Sequence, residues 1–218
     1  MRQSQLNPAA RRPRRCSPIS GGTWGRVLGT GLVLLGLLGG GAVRGSEPAA
    51  TAEREPALRK IDWQQDVEAR KRITYYRKRL PDELQKQNNF AWARADIPGL
   101  RKKEYYAHSR IQSLEGLSSR AAKRISGISP KPAAETSRFE TLFVDYAGNI
   151  GGRNAIPRWF DTEYKIIEDI ASRLPDSTVS GKILLFTELE PCLSCWGVMK
   201  QFMAAYPHIE IEVLYNWP

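Results

Sequence analysis

Residues 181–202 read GKILLFTELEPCLSCWGVMKQF, a stretch that joins a strand pattern directly to a helix pattern. The apolar run KILLFT at 182–187 is short and continuous, as is typical of a strand that is buried on both faces. Pro191 follows it, and the fixed φ of proline suits the first turn of a helix. We therefore predict a buried strand and then a helix with one apolar stripe, made of Val198, Met199, Phe202, Met203 and Tyr206.

The flanking segments continue this alternation of helix and strand. Residues 163–174 place apolar side chains on one helical face, and Pro175 ends the pattern. At 209–213, isoleucine and valine alternate with glutamate, which predicts a half-buried strand at the end of the chain. The order helix, strand, helix, strand predicts an α/β layered domain with a locally parallel pair of strands.

Weaker patterns lie upstream. Residues 90–99 predict a strand and a turn, residues 104–111 predict its partner strand, and a short helix is expected near 118–125. Residues 58–80 are charged and rich in helix formers, and Pro81 would end that helix. We therefore divide the chain into an N-terminal segment at 1–45, a linker and charged helix at 46–84, and an α/β domain at 85–218.

Composition narrows the class of protein. The chain has 218 residues and 41% hydrophobic residues, which suits one core and excludes wholesale disorder. Three cysteines are too few for a disulfide scaffold. Seven arginines within residues 1–45 account for most of the net charge of +10, and the remainder carries about +3. A strongly basic globular binder is therefore not supported.

The N-terminal segment has the layout of a targeting sequence. A basic region precedes the uncharged, glycine-rich apolar stretch at 27–43, and small residues follow it. This layout predicts a secretory signal peptide at 1–45, with the rest of the chain secreted. An uncleaved anchor that contacts the membrane through 27–43 is the first alternative, and a disordered tail is the second.

Two short motifs carry the chemistry. Asp-Thr-Glu at 161–163 begins one helix, Pro-Cys-Leu-Ser-Cys at 191–195 begins the next, and the buried strand between them brings both helix starts to one edge of the sheet. Two thiolates and one carboxylate can then converge on a zinc ion and leave a fourth position for water, as in catalytic sites. Glu163 points differently and could move a proton without binding the metal. The predicted zinc ligands are Asp161, Cys192 and Cys195.

These motifs resemble the H-x-E and P-C-x-x-C signature of the zinc deaminases. The chain resembles the cytidine-deaminase-like superfamily, and within it the bacterial toxin-type deaminases, in a branch whose helix reads D-[ST]-E-Y-K-[IL]. The resemblance spans about residues 85–218. The matching segments are WFDTEYKIIEDIASRL (159–174), residues 181–202 and IEIEVLYNW (209–217), together with NFAWARADIPGL (89–100) and EYYAHSRI (104–111).

The resemblance carries expectations about fold and activity. It implies a three-layer α/β fold in which helices flank a mixed β-sheet, and a Zn²⁺ cofactor. It implies hydrolytic deamination of cytosine or adenine in a nucleic acid or a nucleotide, with Glu163 as the proton shuttle. A role as a toxin or effector follows from it, and with that role an immunity protein as a partner.

One position departs from the superfamily pattern, because Asp161 stands where a histidine ligand is usual. A carboxylate binds zinc at a similar distance, but the metal with its three ligands then carries a formal charge of −1 instead of zero. Three-cysteine deaminase sites carry the same charge. The alternative is that Asp161 caps its helix by accepting backbone N–H bonds.

Further substrate contacts are predicted near the motifs. His108 lies on a strand where it could line a base pocket, with a structural role as the alternative. Trp159 and Phe160 could stack on a base, or pack in the core. Ser194 lies between the cysteines, where its backbone N–H could contact substrate.

Two other functions stay open. A deaminase fold could serve as a non-catalytic binding module, for which Glu163 would be dispensable. Cys192 and Cys195 could instead form the redox pair of a thiol oxidoreductase, since C-x-x-C at a helix start after a strand is also found there. Only 23 residues follow Cys195, too few for the rest of a thioredoxin-like fold.

Overall fold

The computed structural model describes residues 54–217, in which seven strands and four α-helices follow one another. Pro81 and Pro175 follow the helices that they were expected to end. A 3-10 turn lies at Asp82–Leu84. The strands and helices are β1 (Ala57–Lys60), α1 (Val67–Arg77), β2 (Phe90–Asp96), β3 (Glu104–His108), α2 (Ser119–Arg124), β4 (Phe143–Val144), β5 (Ile156–Pro157), α3 (Thr162–Ala171), β6 (Gly181–Leu189), α4 (Leu193–Ala205) and β7 (Ile209–Trp217).

Five strands form one mixed sheet in the order β1-β7-β6-β2-β3. The buried strand β6 pairs in parallel with β7, and α4 makes the crossover between them. On its other side β6 pairs antiparallel with β2, which pairs antiparallel with β3. The predicted mixed sheet and its parallel pair are confirmed.

Helices cover both faces of this sheet. Small alanines of β2 face α3 and α4, and together with Ile183 and Val213 they build the larger part of the core. The alternate residues of the strands, among them Trp92 and Phe186, face the other way and pack against Ile73 of α1. Because side chains alternate across a strand, one sheet serves both cores. The predicted three-layer arrangement is confirmed.

The structure differs from the predicted organisation at the N-terminal side. Residues 57–60 form a strand that pairs in parallel with β7, although the linker was expected to reach 57 and a helix to begin at 58. All four side chains of β1 are exposed, so the strand depends on its backbone ladder and carries no apolar pattern. Because β1 is a strand of the sheet and α1 packs on it, the boundary expected at residue 85 falls inside one packed unit.

The expected signal peptide or anchor lies outside the described residues, and so does most of the linker. Within residues 54–217, no helix combines the length and the hydrophobicity that a membrane span requires.

Candidate metal and catalytic site

Two helix starts face each other at the carboxyl end of β6. Asp161 is the N-cap residue of α3 and Cys192 is the N-cap residue of α4, both in extended backbone conformation. Neither side chain makes a capping hydrogen bond to its own helix. The alternative role of Asp161 as a capping acceptor is therefore not realised, and its carboxylate turns toward the cysteines.

The three predicted ligands lie at distances that suit a tetrahedral metal ion. Asp161 Oδ2 lies 3.3 Å from Cys195 Sγ and 3.6 Å from Cys192 Sγ, and the two sulfur atoms are 3.7 Å apart. With ordinary zinc–ligand bond lengths, tetrahedral geometry requires about 3.8 Å between two thiolates and about 3.5 Å between thiolate and carboxylate oxygen. The donor set therefore fits zinc in both its chemistry and its spacing.

The site concentrates acidic groups in a poorly solvated place. Burial, with the nearby charges of Glu163 and Cys192, raises the pKa of Asp161 to about 8. The hydrogen bond between the cysteines lowers the pKa of Cys192 to about 6, and the same bond together with burial raises the pKa of Cys195. These groups cannot all ionise together without a cation, and a bound divalent ion would remove that conflict.

Glu163 is held beside this cluster and is only 3% exposed. The Thr162 hydroxyl donates to its Oε2 over 2.8 Å, and the Thr187 hydroxyl donates to its Oε1 over 2.8 Å. Its Oε2 lies 3.7 Å from Cys195 Sγ. The glutamate thus stands next to the ligand cluster and outside it, as its predicted role requires.

The hydroxyls that hold Glu163 were not predicted from the sequence. Thr187 closes the apolar run KILLFT, and a polar residue at that end of a buried strand was a usable signal. Thr162 is the middle residue of Asp-Thr-Glu, and the motif assigns it no role. Asn89, which contacts both threonines, lies directly before β2 and begins the matching segment 89–100, but no pattern in the sequence assigned it to the site.

His108 does not reach the site. It is completely buried, with its Nε2 2.9 Å from the Gln87 carbonyl and its Nδ1 accepting from the Arg110 backbone N–H. Burial is the main cause that lowers the pKa of His108 to about 4, so the ring is neutral at physiological pH. The geometry favours the structural role over the predicted substrate contact.

The two aromatic residues that were predicted to contact substrate lie in different surroundings. Phe160 lines a cavity of about 480 Å³ together with Arg110 and Tyr146, next to the start of α3. Trp159 packs edge-on against Phe143, and the Lys131 ammonium lies 5.0 Å from its ring centre. Of the two, only Phe160 lines this cavity.

Ser194 has a structural partner. It is 1% exposed, and its hydroxyl accepts a hydrogen bond from the Leu142 backbone N–H over 2.8 Å. The side chain therefore ties the segment before β4 to α4. A substrate contact through its backbone N–H stays a prediction.

A mixed sheet between helical layers, with a candidate metal-ligand cluster at two helix starts and a glutamate beside it, is the arrangement expected of the deaminases of the cytidine-deaminase-like superfamily. Residues 73–217 match the model of the toxin-deaminase family, described as the BURPS668_1122 family of deaminases. The chain belongs to this family, which confirms the resemblance. A search of the curated proteins and a search of the solved structures each gave no match.

Proposed function

We propose that this protein is a zinc-dependent nucleobase deaminase that acts on cytosine or adenine in a nucleic acid or a nucleotide, and that it serves as an exported toxin. The observation that carries the proposal is the spacing of Asp161, Cys192 and Cys195, with Glu163 next to Cys195. Family membership supports deamination and the toxin role.

The reaction requires a nucleophile and a proton carrier. Bound zinc would supply an acidified water as the nucleophile. Glu163 is nearly excluded from solvent and stands beside the ligand cluster, so it can accept a proton from the attacking water. It can then return that proton to the ring nitrogen and assist the departure of ammonia, so that water is consumed and the exocyclic amine is lost.

The cavity beside the site suits a nucleotide. Phe160 and Tyr146 offer aromatic rings to a base, and Arg110 is an exposed cation that could meet a phosphate. Both cytosine and adenine are compatible with these groups.

One observation also favours a second function. A C-x-x-C pair at a helix start, with a lowered Cys192 pKa and sulfurs 3.7 Å apart, is what a thiol oxidoreductase requires. Thiol exchange needs at most one carboxylate as a general base, whereas the metal site uses both, Asp161 as a ligand and Glu163 as the proton carrier, so the pair of carboxylates favours the metal site.

Metal content tests the proposed site directly. We expect about one zinc per chain in the purified full-length protein, and loss of zinc in Cys192→Ser and Cys195→Ser, because each removes a ligand. Cys16→Ser is the matched control and should keep the metal. A folded wild type that takes up no zinc when the metal is added would contradict the proposal, and an oxidised Cys192–Cys195 pair would then support the oxidoreductase.

Substitution of the proton carrier tests the activity. Glu163→Gln should keep zinc and lose deamination by roughly 100-fold or more, because the amide cannot accept the proton. The exposed Glu83→Gln is the control and should behave as the wild type. Ammonia release from cytidine, CMP, adenosine, AMP and single-stranded DNA and RNA gives the rate. A zinc-loaded wild type without activity on any of these would favour the non-catalytic binding module.

Export forms a separate part of the proposal. A signal peptide at 1–45 predicts that chains recovered from the medium begin near Ser46. Intact chains that remain in the membrane fraction would instead support the anchor at 27–43. An immunity protein in the producing cell would be the partner of such a toxin.

A further inference from the structure

We propose that Asn89 is a positioning residue for Glu163: its side-chain amide directs the hydroxyl protons of Thr162 and Thr187 onto the two carboxylate oxygens. The inference rests on the proposed function, because it assigns Asn89 to the machinery of the same reaction. It names a residue that lies 74 positions from Glu163 in the chain and outside both chemical motifs.

Around the Asn89 side-chain nitrogen, each hydrogen-bond donor has an acceptor. Its Nδ2 donates to Thr162 Oγ1 over 2.9 Å and to Thr187 Oγ1 over 3.1 Å. An amide nitrogen carries two protons and can only donate, so both hydroxyl oxygens are used as acceptors. Each hydroxyl keeps one proton, and a Glu163 carboxylate oxygen lies 2.8 Å from each of them.

The contact of the Asn89 side-chain oxygen fixes which way the amide group is oriented. The backbone N–H of Leu189 donates to Asn89 Oδ1 over 3.3 Å, and a backbone N–H cannot accept. This contact places the oxygen toward the backbone of Leu189 and the nitrogen toward the hydroxyls of Thr162 and Thr187. Thr187 Oγ1 also lies 3.4 Å from Asn89 Oδ1, but the carboxylate is the nearer and more strongly accepting partner.

The arrangement joins three elements that are distant in sequence. Thr162 begins α3, Thr187 lies in β6, and Asn89 precedes β2; both hydroxyl-bearing residues are completely buried. A carboxylate has about four lone-pair sites, so two hydroxyl bonds fix its plane and leave other sites free toward the ligand cluster. Fixed orientation matters because a displacement of 1 Å can reduce a rate about 100-fold.

The decisive variant is Asn89→Asp, which keeps the shape and replaces both donors by an acceptor. The threonine hydroxyls would then turn toward the introduced carboxylate, and Glu163 would lose both of its hydroxyl donors. We expect kcat to fall by about 100-fold, with KM changed less than about twofold and zinc content unchanged. Asn154→Asp is the matched control, since Asn154 is an exposed loop residue. The assay uses the best substrate from the six probes named above.

Threonine variants show whether Asn89 acts through the hydroxyls. Thr187→Val should lower kcat and Thr187→Ser should restore it, because serine keeps the hydroxyl. Asn89→Asp combined with Thr187→Val should be hardly worse than Asn89→Asp alone, since both changes break the same arrangement. A kcat for Asn89→Asp within about threefold of the wild type, or losses that multiply in the double variant, would overturn the proposal.

A readout without turnover separates this inference from the proposed function. In ¹⁵N-resolved NMR spectra, Thr162→Val should shift one side-chain amide proton of Asn89, and Thr187→Val should shift the other. If the wild type deaminates none of the probes, the proposed function fails, and these spectra still decide the hydrogen-bond arrangement. Asn89 amide protons that respond to neither substitution would overturn the inference.

Discussion

At the scale of single residues, the choice of Asp161 as the proposed third zinc ligand has an electrostatic consequence. With two thiolates it would give a site that holds a divalent metal a formal charge of −1. Two features offset that charge: the positive ends of α3 and α4 meet at the site, and Lys165 is completely buried one turn along α3. Burial lowers the pKa of Lys165 to about 7, while the charges of Asp161 and Glu163 act in the opposite direction and raise it.

His108 makes the stability of the fold sensitive to acid. Folding lowers its pKa from 6.5 to about 4, so between these pH values the unfolded chain binds a proton that the folded chain does not. The stabilisation is therefore complete above pH 6.5 and is lost as the pH falls to 4, by up to about 3 kcal/mol. Urea unfolding of the metal-free protein at several pH values measures it. His108→Gln should remove this part of the pH dependence, and the exposed His208→Gln should not; equal profiles for wild type and His108→Gln would contradict the assignment.

At the scale of elements, α3 connects the site to the β3 side of the sheet. The Lys165 ammonium donates to the carbonyls of His108 and Ile111 over 2.8 Å each, and to the Gln112 side chain over 3.3 Å. These three bonds hold the segment after β3 against the helix that carries Asp161 and Glu163. The same segment includes Arg110 of the neighbouring cavity, so α3 positions both the ligand cluster and one wall of that cavity.

What the sequence could predict at this scale depended on whether an element carries its own pattern. Strand β6, helix α4 and strand β7 could be predicted because each has a local apolar pattern. The convergence of Asp161, Cys192 and Cys195 could be predicted as well, because their spacing places them at helix starts. Strand β1 could not, because its partner lies about 155 residues away and its own side chains are exposed. The role of Asn89 could not be predicted for a related reason, since its contacts depend on side-chain directions in three separate segments.

At the scale of the whole molecule, both faces of the sheet are apolar. One face must therefore be covered by α3 and α4 and the other by α1. The face toward α1 carries Phe90, Trp92, Tyr106, Phe186 and Leu214, all at most 2% exposed. Each large side chain of this kind contributes about 1.5–3 kcal/mol when it is buried, while a domain of ordinary stability has about 5–15 kcal/mol in total. Loss of α1 therefore exposes this face of the sheet to water, and no other helix within residues 54–217 can shield it.

This argument predicts where the chain can be shortened. A protein that begins at residue 85 should fail to unfold cooperatively and should bind a hydrophobic dye, because Ala69, Ile73 and Leu80 no longer shield the sheet. A protein that begins at residue 54 keeps β1 and α1 and should melt cooperatively. Thermal unfolding followed by circular dichroism, with dye fluorescence beside it, compares the two. A cooperative transition of the shorter protein within about 5 °C of the longer one would show that α1 lies outside the folding unit, since even 1 kcal/mol shifts the melting temperature of a domain this size by several degrees.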